Sequence, residues 1–246
     1  MSKAISLGFV CALAAVTIGC ASDGGGESIG QLEEGVGDNG NHYGNLPFLL
    51  ESPNFADGQA LPDAYTCQGN PFATGVTPEL NWTKGPNDTK SYAIVFRDTS
   101  ITDPNFAFHW AIWNIPHSRH TLPEGIPGLI PGSTEIVPLP KSLKGAQHVQ
   151  ARNVARFFGP CPNSAVTLAA RCNLPPVAPV TDSYSFTIYA FTEHEIEVPP
   201  HDMSIHPNYV YRLNSLFASM TDAEHRAVLT TTSGAIPSTV PFACPP

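Results

Sequence analysis

Between Phe106 and Ile115 the chain runs Phe-Ala-Phe-His-Trp-Ala-Ile-Trp-Asn-Ile, with no acidic residue, lysine or arginine. Its aromatic and β-branched content predicts a strand, which Pro116 closes. Regular alternation sets His109 on one face with Ala111, Trp113 and Ile115, and sets Phe108, Trp110 and Ile112 on the other. Both faces are apolar, so the strand has to be covered on both sides, and it carries one titratable imidazole into the wall. A second apolar run, Tyr92 to Phe96, lies upstream and ends near Asp98. A third, Tyr184 to Phe191, alternates cleanly: Tyr184, Phe186, Ile188 and Ala190 on one face, Ser185, Thr187, Tyr189 and Phe191 on the other.

Three such strands within 246 residues fit one mainly β domain better than two. Charged residues are only 13% of the chain and there are 25 prolines, about twice the usual share near 5%, so turns are favoured over long exposed helices. The formal net charge is −9 and no basic cluster interrupts it, which argues against nucleic acid or an anionic membrane surface as the main partner.

The N-terminus reads as a targeting device. Lys3 precedes an uncharged run from Ala4 to Val16, too short to span a bilayer comfortably, and Thr17-Ile-Gly-Cys20 stands where processing occurs. A small residue before Cys20 is similar to a bacterial lipobox, with Cys20 as the lipid-bearing residue, although Thr17 is atypical there. The expected organisation is a signal peptide over 1–19, a lipidated and unstructured tether over 20–45, and a folded domain over 46–246. Such a protein belongs to the bacterial envelope, with the outer membrane favoured because Ala21 and Ser22 lack an inner-membrane retention aspartate. Discounting Cys11 and Cys20 leaves Cys67, Cys161, Cys172 and Cys244, an even number in an exported chain, with three possible disulfide connectivities and no metal-site spacing.

Further elements follow in order. Pro78–Trp82 predicts a short strand, Asp57-Gly58 and Asn87-Asp88 predict turns, and Ser133–Leu139 is a weaker strand candidate. Residues 141–156 are polar with little periodicity, and 163–180 reads as a proline-rich excursion. Tyr209, Leu213, Leu216, Phe217 and Met220 recur at helical spacing, and Thr221-Asp-Ala-Glu224 matches a capping box that predicts a second short helix from Asp222. The chain carries no Gly-x-Ser-x-Gly elbow, His-Glu-x-x-His, phosphate loop or dinucleotide fingerprint, so no catalytic residue, metal or cofactor is expected.

Seven motifs stand in sequence: Tyr65-Thr-Cys-Gln-Gly69, Pro78 to Trp82, Lys90 to Asp98, Phe108-His-Trp with Asn114-Ile-Pro116, Leu122-Pro-Glu-Gly125, Gly159-Pro-Cys-Pro162 and Tyr184-x-Phe-Thr-x-Tyr-Ala190. In this order they resemble the phosphatidylethanolamine-binding protein family, in particular its bacterial Raf-kinase-inhibitor-like branch. The resemblance implies a β-sandwich-like fold with short C-terminal helices and a small pocket for phosphate-like anions or phospholipid head groups. Its ligand-binding positions fall on Asp98, His109, Gly159, Pro160 and Tyr184, with Asp182 where the family has a histidine. An imidazole beside a carboxylate gains proton affinity and would donate to an anion. Asp182 works the other way, since it repels one; Arg171 is a candidate for restoring the missing charge.

Cys67 and Cys161 lie in family motifs while Cys172 and Cys244 do not, so the resemblance implies Cys67–Cys161 and Cys172–Cys244, with Cys161–Cys172 as the competing pair. The function it implies is non-catalytic binding of a small anionic or phosphorylated ligand, with no nucleic-acid partner and the membrane reached only through the lipid anchor. The alternative is inhibition or regulation of a protein partner through surface loops, above all 163–180.

Overall fold

In the computed structural model, residues 47–70 and 74–245 are described, and the signal, lipid-anchor and tether expectations lie outside them. Among the described residues, eight strands form two antiparallel sheets. The smaller has the order β1 (Leu50–Glu51), β2 (Leu80–Trp82), β5 (Thr121–Leu122). The larger has the order β6 (Gln147–Gln150), β4 (Phe108–Pro116), β3 (Ser91–Asp98), β7 (Asp182–Phe191), β8 (Arg226–Ser233). Three helices accompany them: α1 (Pro104–Ala107), α2 (Ser164–Arg171) and α3 (Tyr209–Met220). The mainly β architecture expected from the sequence is the one observed.

Both faces of the large sheet are covered, as its apolar strands require. One face packs Tyr92, Ile94, Phe96, Trp110, Ile112, Phe186 and Ile188 against Leu50, Leu80, Trp82 and Leu122 of the small sheet. The other packs Ala93, Val95, Ala111, Trp113, Tyr189 and Phe191 against Val210, Leu213 and Phe217 of α3. The two cores therefore share the backbone of β3, β4 and β7 as a common wall.

Strict alternation fails in β4 at two places. Phe96 pairs with Trp110 but Arg97 pairs with Phe108, so His109 is one residue more than β3 can match. Tyr92 pairs with Ile115 but Ile94 with Ile112, which leaves a second surplus residue near Asn114. Each β-bulge shifts the side-chain phase by one. Ala111 and Trp113 accordingly face α3, while Ile115 joins the inter-sheet core and the His109 ring lies against Phe96 of that same core. The expected grouping of His109 and Ile115 with Ala111 and Trp113 is corrected on this ground. Asn114 is left-handed (φ 57°), and its Oδ1 accepts from the Ile196 N–H at 2.8 Å.

Other departures have local causes. The strand expected from Phe106 begins at Phe108, because the Asp103 side chain accepts from the Asn105 N–H and starts the helical turn α1. Beyond α3, the Asp222 carboxylate does cap the N–H groups of Glu224 and His225, yet the chain leaves as strand β8 and not as a second helix. Val228-Leu-Thr-Thr-Thr-Ser233 is β-branched and alternately buried, a signal the capping box obscured. The excursion opens with helix α2, built from Ser-Ala-Val-Thr-Leu-Ala-Ala-Arg. Residues 133–139 form only an isolated bridge, Leu129 with Ile136, while the polar 141–156 stretch supplies β6.

Replacing Asn114 with Ala removes the acceptor for the buried Ile196 N–H and puts a Cβ-bearing residue without a polar side chain at positive φ. Urea unfolding with disulfides intact is expected to show a loss of about 1–3 kcal/mol. Val228→Ala, on an exposed face of β8, is expected to stay within about 0.5 kcal/mol of the parent.

Candidate functional site

The site lies where β3 ends, β4 begins and β7 begins. Asp98 closes β3 directly opposite Tyr184 of β7. Its carboxylate is buried, and Oδ1 accepts from the N–H groups of Ser100 at 2.8 Å and Ile101 at 3.2 Å. Those two bonds shape the turn that leaves the strand, and Tyr184 stands opposite Asp98 in the ladder. Burial, followed by the charges of Asp98 and Asp182, pushes the Tyr184 phenol far above its ordinary value, so it stays protonated.

His109 approaches Tyr184 from the other side. The bulge turns its ring toward the inter-sheet core, where Phe96, Phe158 and Tyr184 surround it at centroid distances of 5.5, 5.7 and 5.7 Å. Phe158 is stacked on the imidazole and Tyr184 meets it edge-on. Burial pulls its pKa down to about 4, opposed only by a backbone hydrogen bond with Phe158. The proton affinity expected from a neighbouring carboxylate is therefore not gained: desolvation dominates, Asp98 is not among the causes of the shift, and the ring is neutral at pH 7. Its Nδ1 is buried with no hydrogen-bond partner among the described residues.

The corner 157–161 holds Phe158 in place. Gly159 passes so close to Tyr65 that a Cβ would fall 2.2 Å from the Tyr65 carbonyl oxygen, so only glycine fits. The Pro160 carbonyl accepts from the Cys67 N–H at 3.1 Å, and Cys67 is joined to Cys161 by a disulfide. The second disulfide joins Cys172 to Cys244. Phe158 is a residue the sequence does not point to, because a stacking partner for a strand histidine has no local signature.

Asp182 opens β7 two residues before Tyr184, on the same face, and is partly exposed. Burial, then the nearby Asp98 charge, raises its pKa. Arg171 does not relieve it: its guanidinium donates to the Val240 carbonyl at 2.8 Å, tying α2 to the C-terminal segment. The structure thus brings Asp98, His109, Tyr184, Asp182 and the Gly159-Pro160 corner to one end of the sheet and sets Arg171 elsewhere. Among the described residues no group of three or more His, Cys, Asp or Glu is arranged to hold a metal ion, and no helix is long and apolar enough to cross a membrane.

A family model described as phosphatidylethanolamine-binding protein matches residues 51–212. A UPF0098 protein of Aquifex aeolicus is 25% identical over 149 residues, covering 61% of this chain and 71% of that one. LppC of Mycobacterium tuberculosis, a protein named as a lipoprotein, is 27% identical over 155 residues, covering 63% of this chain and 60% of its own. Among solved structures, YbcL of Escherichia coli superposes with a TM-score of 0.53 at 21% identity, over 78% of this chain and 100% of its own. The phosphatidylethanolamine-binding protein homologue CT736 of Chlamydia trachomatis superposes with a TM-score of 0.51 at 18% identity, over 77% and 99%.

Two outcomes follow from the site's physics. His109 and the buried His148 both have pKa values lowered to about 4, in each case chiefly by burial. The unfolded chain takes up these protons near pH 6.5, so stability is full above that pH and falls as pH drops from about 6.5 toward 4. For His109 alone the loss is on the order of 3 kcal/mol, and His109→Phe should flatten that part of the profile in urea unfolding at pH 7 and pH 4.5. Removing the Cys67–Cys161 bridge by paired serine substitutions opens a loop of 94 residues and is expected to cost about 4–5 kcal/mol in the chain-entropy model.

Proposed function

Since this chain belongs to the phosphatidylethanolamine-binding protein family, we propose that it is a non-catalytic binding protein of the bacterial envelope whose sheet-end site receives the head group of a small anionic or phosphorylated ligand. The observation that carries this reading is the orphaned Nδ1 of His109. A buried polar atom without a partner costs about 1–3 kcal/mol, and a group on a ligand would satisfy it. The surrounding rings bury the imidazole, and Phe158, stacked on it, directly precedes the Gly159-Pro160 corner.

The four cysteines of the described domain are all in disulfides, so none of them is a free thiol nucleophile. Retention at the envelope would come from lipid on Cys20, with the outer membrane as the favoured location; similarity to a protein named as a lipoprotein supports the anchor.

Inhibition of a partner protein is a second reading, favoured by one surface. Leu174, Val177 and Val180 are exposed on the excursion, which is pinned by Cys172–Cys244 and by Asn163, whose side chain bonds both ways with the Val180 backbone. Deletion of 174–179 should abolish any protease inhibition by the purified protein, whereas inhibition unchanged by that deletion sinks this reading.

Calorimetry of the protein against inorganic phosphate, phosphoethanolamine and nucleotides tests the first. Binding of at least one of these probes is expected, weakened about tenfold or more by His109→Phe, which keeps the ring and removes the nitrogen. Undiminished binding by that variant would rule the site out.

A further inference from the structure

We infer that Phe106, Met203 and Ile205 form a membrane-docking surface, which seats one corner of the domain in the lipid bilayer that carries the Cys20 anchor. The inference rests on the envelope-anchor part of the reading above and is independent of the head-group site.

These three are the most exposed large apolar side chains among the described residues, at 69%, 70% and 65%. Exposed apolar residues scattered singly are ordinary, whereas these lie on two turns that one side chain joins. Phe106 is in α1. Met203 and Ile205 are in the turn that precedes α3, where the Ile205 and His206 N–H groups donate to the Asp202 carbonyl. Asn208 caps α3 by accepting from the Tyr211 N–H, and the same side chain donates to the Asn105 and Phe108 carbonyls at 3.2 and 2.9 Å. The Tyr209 N–H also donates to the Ala151 carbonyl, which holds the start of α3 in place. Both turns therefore meet at the end of the large sheet where β4 begins.

A bilayer fits this surface better than a protein does. A standard protein interface takes about 20–30 residues a side. Three apolar side chains on two exposed turns are too few for that, but enough to enter the apolar boundary of a membrane to which the chain is already tethered. The ionisable groups nearby carry both signs: Asp103 and Asp202 are bonded within their own turns, and Arg212 donates to the Pro200 carbonyl. They suit a surface of little net charge, the kind that a chain of net charge −9 can approach. Chain length permits the contact. Phe48 stacks on Tyr92, at the end of β3 remote from Asp98, and residues 21–46 can span up to about 90 Å, several times the length of a strand of eight residues. An anchor alone fixes only distance; this second contact fixes orientation, with the end of the sheet where β4 begins turned toward the lipid.

The test places the lipid-bearing chain in phosphatidylcholine vesicles with and without brominated acyl chains, which quench an indole that reaches them. Trp82, Trp110 and Trp113, the three tryptophans of the chain, are all buried, so the parent's emission should change little. Phe106→Trp, and separately Met203→Trp, are expected to lose about half or more of the added emission, while Leu49→Trp, at the other end of the domain, changes by about a tenth or less. Adding Met203→Ser and Ile205→Ser to Phe106→Trp should bring its quenching down to the Leu49→Trp level. Unquenched emission from both Phe106→Trp and Met203→Trp, or quenching no greater than that of Leu49→Trp, overturns the proposal. So does a shift of that emission with protein concentration in the absence of vesicles, which makes a second copy the occupant. A measured mass without lipid on Cys20 removes the anchor reading and this inference with it, whereas the head-group reading is decided separately by calorimetry with phosphate.

Discussion

An antiparallel ladder in which one strand has more residues than its partner cannot keep its side chains in phase. β4 carries two surplus residues against β3, at His109 and near Asn114, and between them the strand faces one way while at each end it faces the other. The first bulge turns an imidazole away from α3 and into the aromatic wall between the sheets, beside the Tyr184–Asp98 pair. Every property of the site that depends on His109 follows from this displacement.

Burial then sets the chemistry. An apolar enclosure penalises the charged form of a lone imidazole. Asp98 accepts from the N–H groups of Ser100 and Ile101, so it shapes the turn. His109 is left neutral.

Two covalent links tie the surroundings together in a chain with only 13% charged residues. Cys67–Cys161 locks the corner that carries Phe158, and Gly159 lets that corner press against the Tyr65 backbone. Cys172–Cys244 does the same for the excursion and the C-terminal segment, helped by the bond from Arg171 to Val240.

The three apolar strands, their need for cover on both faces, the helix at Tyr209–Met220 and the sites of the turns were legible in the sequence, because each depends on periodicity and composition within a few residues. Motif order was enough to gather Asp98, His109, Asp182, Tyr184 and the Gly159-Pro160 corner as one group. Strand β8 and helix α2 were missed where a capping signal and nearby prolines spoke louder than residues that pack only against distant partners. The face on which His109 lies, the loss of its charge, the Phe158 ring above it and the removal of Arg171 to Val240 were decided by tertiary structure alone. Each of these depends on which strand lies opposite and how many residues that strand has, or on what the chain folds over afterwards, and neither is written in any single segment.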